Sequence, residues 1–194
     1  MSSIEIIKTI REKTGLSLKD IKNAVDHLQT EDEAKIIKYL REQGALKAQN
    51  RQDRQTGQGL ISSYVHEGRI GVLLEMRCET DFVSRGAAFG EVGRNICLHI
   101  AATQPKFVRP EDADQAFVES ELAIARTQLV EEGKPEAMIE KILAGKKNKI
   151  LEEVCLLTQP YFKDTARTVQ QVIDELSQVS GEKVEITKFT IYTL

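Results

Sequence analysis

At 194 residues with 41% apolar side chains, the chain has material for one core of about 150 residues plus a small accessory module. Aromatic residues make up only 5% and tryptophan is absent, so that core must be mostly Ile, Leu, Val and Ala. A net charge of −3 argues against a nucleic-acid binder held by phosphate contacts, and no apolar run is long enough to argue for a membrane span.

The opening "MSSIEIIKTIREK" carries charges at Glu5 and Lys8, which is no secretory signal, so a cytoplasmic protein is expected. Residues 4–44 read as three short helices. Ile4, Ile7 and Ile10 mark one face of the first, which Thr14-Gly15 ends. Ser17 with Asp20 resembles a capping box opening the second, where Leu18, Ile21, Val25 and Leu28 keep helical spacing. Thr30 with Glu33 repeats the device for the third, which carries Ile37 and Leu40 and is expected to close at Gly44. The expected division is a three-helix module over 1–45, a linker over 46–58 and a core over 59–194. The linker reading rests on "KAQNRQDRQTGQG", which is almost free of hydrophobes. Net charge is +2 through Gly57 and −5 after it.

From Leu60 the period changes. Ile70, Val72, Leu74 and Met76 alternate on one face, and Glu67-Gly68 punctuates the run, predicting a β-hairpin. Phe89, Val92, Ile96 and Ile100 then define an amphipathic helix. Residues 111–158 read as helical, broken at Gly133-Lys134-Pro135 and again at Gly145, with a helical hairpin over about 118–158. Val169, Val172, Ile173 and Leu176 give one more helix, ending near Gly181. "KVEITKFTIY" is a strand. A hairpin and a late strand predict a three-stranded antiparallel sheet packed on helices, an α+β fold.

Catalytic and metal signatures are thin. Cys78, Cys97 and Cys155 are too scattered for a disulfide framework or a metal site and read as small buried hydrophobes. His27 reads as solvated or capping. Cys97 and His99, two apart, fall on different sides of a helix and make no nucleophile–base pair. "GQGLIS" and "GAAFGEVG" match neither dinucleotide nor P-loop fingerprints, so no cofactor, no metal and no covalent chemistry are expected. That leaves "EMRCETDFVSR", residues 75–85. On residues alone, Thr80-Asp81 makes a turn and Phe82 either folds back into the core or stands outside it.

That stretch closely resembles the signature of the elongation factor Ts family, guanine-nucleotide exchange factors for the translational GTPase elongation factor Tu. "IREKTGLSLKDIKNAV" resembles the family's ubiquitin-associated-like three-helix module. "YVHEGRIGVLLE", "HIAATQPKFV", "EEGKPEAMIEKILAGKKNK" and "EEVCLLTQPYFKD" follow in family order. The resemblance implies that Asp81 and Phe82, on a base shaped by Thr80 and Val83, push between helices of the GTPase and disturb its Mg²⁺ site. It also implies partner contacts for Arg11, Leu18, Arg51 and His66, while His99 reads as structural. Leu18 is equally readable as core, and Arg51 as a free linker charge.

Two departures stand out. Arg77 replaces a small polar residue, and longer members carry two core halves where this chain has one. A lone half leaves a surface to cover, which implies a homodimer. Rival readings are a peptide-binding three-helix module on an idle scaffold, a ribosomal RNA-binding accessory using Lys47, Arg51, Arg54 and "GKKNK", and a cysteine hydrolase. The acidic core and the lack of a stacking surface count against RNA.

Overall fold

A computed structural model describes residues 3–194. Helices α1 (Ser3–Thr14), α2 (Leu18–Leu28) and α3 (Glu33–Gln49) come first, then strands β1 (Gln58–His66) and β2 (Ile70–Cys78). The short α4 (Asp81–Ser84) and the long α5 (Ala87–Thr103) follow, and α6 (Gln115–Glu131) and α7 (Glu136–Val154) form the helical hairpin. A two-residue β3 (Pro160–Tyr161), β4 (Asp164–Thr168), α8 (Val169–Ser180) and β5 (Val184–Thr193) complete the chain. The fold is α+β, with a three-stranded antiparallel sheet in the order β1-β2-β5.

The β1–β2 turn follows its residues closely. Glu67 and Gly68 both have positive φ, 50° and 69°, and the Arg69 amide donates to the His66 carbonyl at 2.9 Å. That is a type I′ turn, whose twist matches paired strands. Alternation along β2 is equally direct: Val72, Leu74, Met76 and Cys78 are all buried. On α5, Phe89, Ile96 and Ile100 are buried as their spacing requires.

Several expected boundaries move. Gly44 does not end α3, which runs on to Gln49 and absorbs the start of the expected linker. Helix-stopping glycines adopt positive φ, as Gly15, Gly133 and Gly181 do; Gly44 and Gly145 do not, and Gly145 lies inside an unbroken α7. Gly44 serves close packing instead, since a Cβ there would stand 2.2 Å from the Gln178 Oε1. The N-cap of α3 is Asp32 rather than Thr30. Its carboxylate accepts from the amides of Ala34 and Lys35, while the Thr30 hydroxyl accepts from the Asp32 amide. Ser17 caps α2 as expected, accepting from the Asp20 amide at 3.1 Å. The β3–β4 ladder had no counterpart in the sequence reading: two residues of strand opening on a proline carry no period.

The chain forms two compact units. One gathers the chain up to Ser62 with Glu75–Gly93 and Gln171–Ile186. Its helical core is Ile6, Ile10, Leu16, Ile21, Ala24, Val25, Ile36 and Leu40. Within it α8 lies against the N-terminal helices: Arg41 pairs with Glu175 at 2.8 Å, and Gly15 approaches the Val179 methyls. The other unit comprises Ser63–Leu74, Arg94–Gln170 and Thr187–Leu194. There Ala125, Leu129, Ile139 and Leu143 zip α6 to α7.

Candidate functional site

The 75–85 stretch begins in the core and ends outside it. Met76 and Cys78 hold the end of β2 with no exposed surface. The chain leaves the strand through Glu79 and Thr80 and turns directly into α4. Phe82, at the second position of that four-residue helix, is 86% exposed, so it does not fold back. Ser84 is the buried residue of the helix, and its hydroxyl donates to the Asp81 carbonyl at 3.1 Å. Asp81 pairs with Arg85 at 3.2 Å, in a solvent-facing i,i+4 contact that adds little stability.

What fixes this turn comes from elsewhere in the same unit. The Thr80 amide donates to Glu182 Oε2 at 3.0 Å, and its hydroxyl donates to Glu182 Oε1 at 2.5 Å. Next to it, the Glu79 carboxylate accepts from the Lys183 amide at 2.6 Å and from Arg54 at 3.1 Å. The Lys183 amide, with Arg54 behind it, holds the Glu79 carboxyl below the usual range. Lys183 Nζ in turn donates to the carbonyls of Gln52 at 2.9 Å and Arg54 at 3.2 Å. A groove of about 530 Å³ lies at the foot of α4, lined among others by Gln58, Gly59, Leu60, Asp81, Ser84 and Arg85. Glu182 and Lys183 went unnoticed in the sequence reading. They lie a hundred residues from the turn, and "GEK" after a helix looks like any polar loop.

The remaining candidates fall as follows. Arg11 is exposed on α1. Leu18, the first residue of α2, is 48% exposed, so it is not core. Arg51 is not a free linker charge: its guanidinium donates to the Ser177 carbonyl at 2.8 Å and approaches the Ser177 hydroxyl at 3.3 Å. His66 ends β1 in the second unit, its Nδ1 3.0 Å from the Tyr64 hydroxyl. Arg77 is exposed on β2 and bonds Glu75 at 2.6 Å.

His27 stacks on Tyr39 with ring centroids 5.1 Å apart. His99 is fully buried, and both ring nitrogens are engaged. Nδ1 faces the Phe162 amide at 3.3 Å, which makes Nε2 the protonated nitrogen, donating to Gln159 Oε1 at 2.9 Å. Burial lowers its pKa against the opposing pull of the Gln159 bond. Burial also pushes the Cys97 thiol up to about 11, the reverse of what a nucleophile needs. Among the described residues, no group of three His, Cys, Asp or Glu could hold a metal ion, and no helix is long and apolar enough to cross a membrane.

Comparison with known proteins puts this α+β chain, with its uncovered turn, in the class of translation elongation factors. The sequence model of the family described as "Elongation factor TS" matches residues 4–194. An elongation factor Ts from Desulforamulus reducens is 42% identical over 193 residues, covering 99% of this chain and 88% of that protein. One from Thermosipho melanesiensis is 41% identical over 195 residues, covering 100% of this chain and 99% of that protein. A third, from Solidesulfovibrio magneticus, is 43% identical over 185 residues, covering 95% and 92%. The chain belongs to the elongation factor Ts family. The chain and the Thermosipho relative are of nearly equal length.

Proposed function

We propose that this chain accelerates release of guanine nucleotide from elongation factor Tu in the cytoplasm by pressing the Thr80–Val83 turn into the GTPase, without covalent chemistry and without a cofactor of its own. The observation that carries the reading is Phe82, an aromatic side chain 86% exposed on a turn clamped at its base. Leaving an aromatic in water forfeits the area it would bury, and a rigid exposed aromatic is the usual form of an interface anchor. Asp81 and Phe82 are the wedge; Thr80 and Val83 shape its base. A GTPase holds its nucleotide through backbone amides and an octahedral Mg²⁺, and small shifts of the metal's protein ligands weaken it steeply.

Arg11 and Leu18 suit a gripping surface on the three-helix module, since both stand in solvent. His66 suits a more peripheral contact. Arg51 acts first inside the chain, through Ser177, and reaches a partner only with what its guanidinium leaves over. The coupling is reciprocal: whatever factor the protein gains in affinity on nucleotide loss, the nucleotide loses in its presence, about 1.4 kcal/mol per tenfold. It therefore speeds loading as well as release, and the excess of GTP in the cell sets the direction.

Stopped-flow release of a fluorescent GDP from elongation factor Tu tests this. Saturating protein is expected to speed release at least about tenfold over the spontaneous rate. An unchanged rate would overturn the reading.

The same chain is proposed to act as a homodimer. In the second unit β1 turns Val65 outward and β2 turns Leu73, both exposed, an apolar outer surface that a second copy would cover. Light scattering on a sizing column at micromolar concentration should return twice the 21.8 kDa chain mass; a strict monomer rejects the dimer and leaves the exchange reading standing.

A further inference from the structure

α4 is too short to place itself. Four residues form one turn, and a helix of that length has no cooperative stability of its own. Thr80 occupies the N-cap position at φ −124° and ψ 159°, yet its side chain caps no amide of α4. Its hydroxyl and its amide are both spent on Glu182. Within the turn, the Thr80 carbonyl accepts from the α4 amide of Ser84 at 3.4 Å and from the Cys78 Sγ–H at 3.1 Å, both weak contacts. The two bonds to the Glu182 carboxylate are the charge-assisted pair, shorter and stronger than the rest.

Glu182 is itself held. It follows Gly181, whose φ of 78° ends α8, and its carbonyl accepts from the Ser177 hydroxyl at 2.5 Å. Ser177 is buried, and its carbonyl accepts from Gly181 at 3.0 Å and from Arg51 at 2.8 Å. The carboxylate that grips the turn thus stands on a finished helix end, pinned in turn by the segment after α3.

We propose that Glu182 is the positioning residue of the wedge: it sets the direction in which α4 carries Asp81 and Phe82, without touching the partner. This rests on the exchange reading above and adds a residue to it. Because a displacement of about 1 Å at a working group costs up to about 100-fold in rate, a slackened clamp shows as slow exchange rather than as weak binding. Contacts made through the three-helix module survive its loss.

The test measures GDP release from elongation factor Tu against protein concentration, separating maximal rate from half-saturation, for the parent, Glu182→Ala and Glu182→Gln. Thermal melting is followed in parallel. Glutamine keeps both contacts, its oxygen accepting from the Thr80 amide and its NH₂ donating to the Thr80 hydroxyl oxygen. The expected result is a maximal rate about five- to twentyfold lower for the alanine variant, with half-saturation within about twofold, and recovery to within about twofold in the glutamine variant. A parent-like maximal rate for Glu182→Ala overturns the inference. So does a loss that appears equally in Glu182→Gln, or one that tracks a lowered melting temperature. A parent that fails to accelerate release overturns the exchange reading itself, and the inference with it, so the two failures are distinguishable.

Discussion

Phe82→Ala is expected to lower the maximal rate of nucleotide release about 30-fold or more while leaving the melting temperature where it was. The two halves of that expectation have one cause. A side chain 86% exposed in the free protein makes almost no contacts that folding needs, so truncating it falls within the narrow stability range of surface substitutions. In a complex the same ring would be an anchor, and anchors of this kind carry about 2 kcal/mol or more, which is about 30-fold in rate when spent at the transition to release. Phe82→Leu should fall between, keeping bulk and losing the flat ring. A variant that releases nucleotide at the parent rate would show that the turn does not act on the GTPase.

Gly59→Ala carries the largest expected effect on folding. An alanine Cβ there would stand 2.3 Å from the Met76 carbonyl oxygen and 3.1 Å from the Arg77 Cα, both backbone atoms of β2. No rotamer relieves such a clash, so the strands must part where Met76 is fully buried. Overpacking of this sort costs about 2–3 kcal/mol, or roughly 5–10 °C in melting temperature for a chain of this size. Gly57→Ala is the control. Nothing lies within 4 Å of its Cβ, and the substitution should be neutral or slightly stabilising through the unfolded chain. Equal melting temperatures for the two variants would mean that β1 and β2 do not approach as closely as described.

Where each element was legible in the residues depended on the range of the interaction that decides it. The hairpin turn at Glu67-Gly68, the alternation of β2 and the Ser17 cap are settled within a few residues, and all three are legible in the chain; the turn's type I′ geometry comes from the structure. Gly44 and Gly145 misled because glycine marks either a helix stop or a close approach. Only the Gln178 side chain, far along the chain, decides for Gly44. Asp32 displaced Thr30 as a cap because both side chains suit the position and the exact turn chooses between them. At the site, the residues leave Phe82 poised between core and solvent; in the structure Ser84 is the buried residue of α4 and Phe82 stands in solvent. Glu182 was invisible for a plainer reason: a carboxylate's partner a hundred positions away leaves no pattern in sequence.

All three cysteines are free and buried, and burial pushes each thiol up, that of Cys97 to about 11. The native molecule is therefore chemically mute toward alkylating reagents, and a thiol answers only in a molecule that has opened around it. The three sit at the end of β2, in the middle of α5 and at the C-cap of α7. They amount to three silent clocks, each timing the breathing of its own neighbourhood. They also leave the surface clear, so that one cysteine introduced in solvent would take a dye without competition from within.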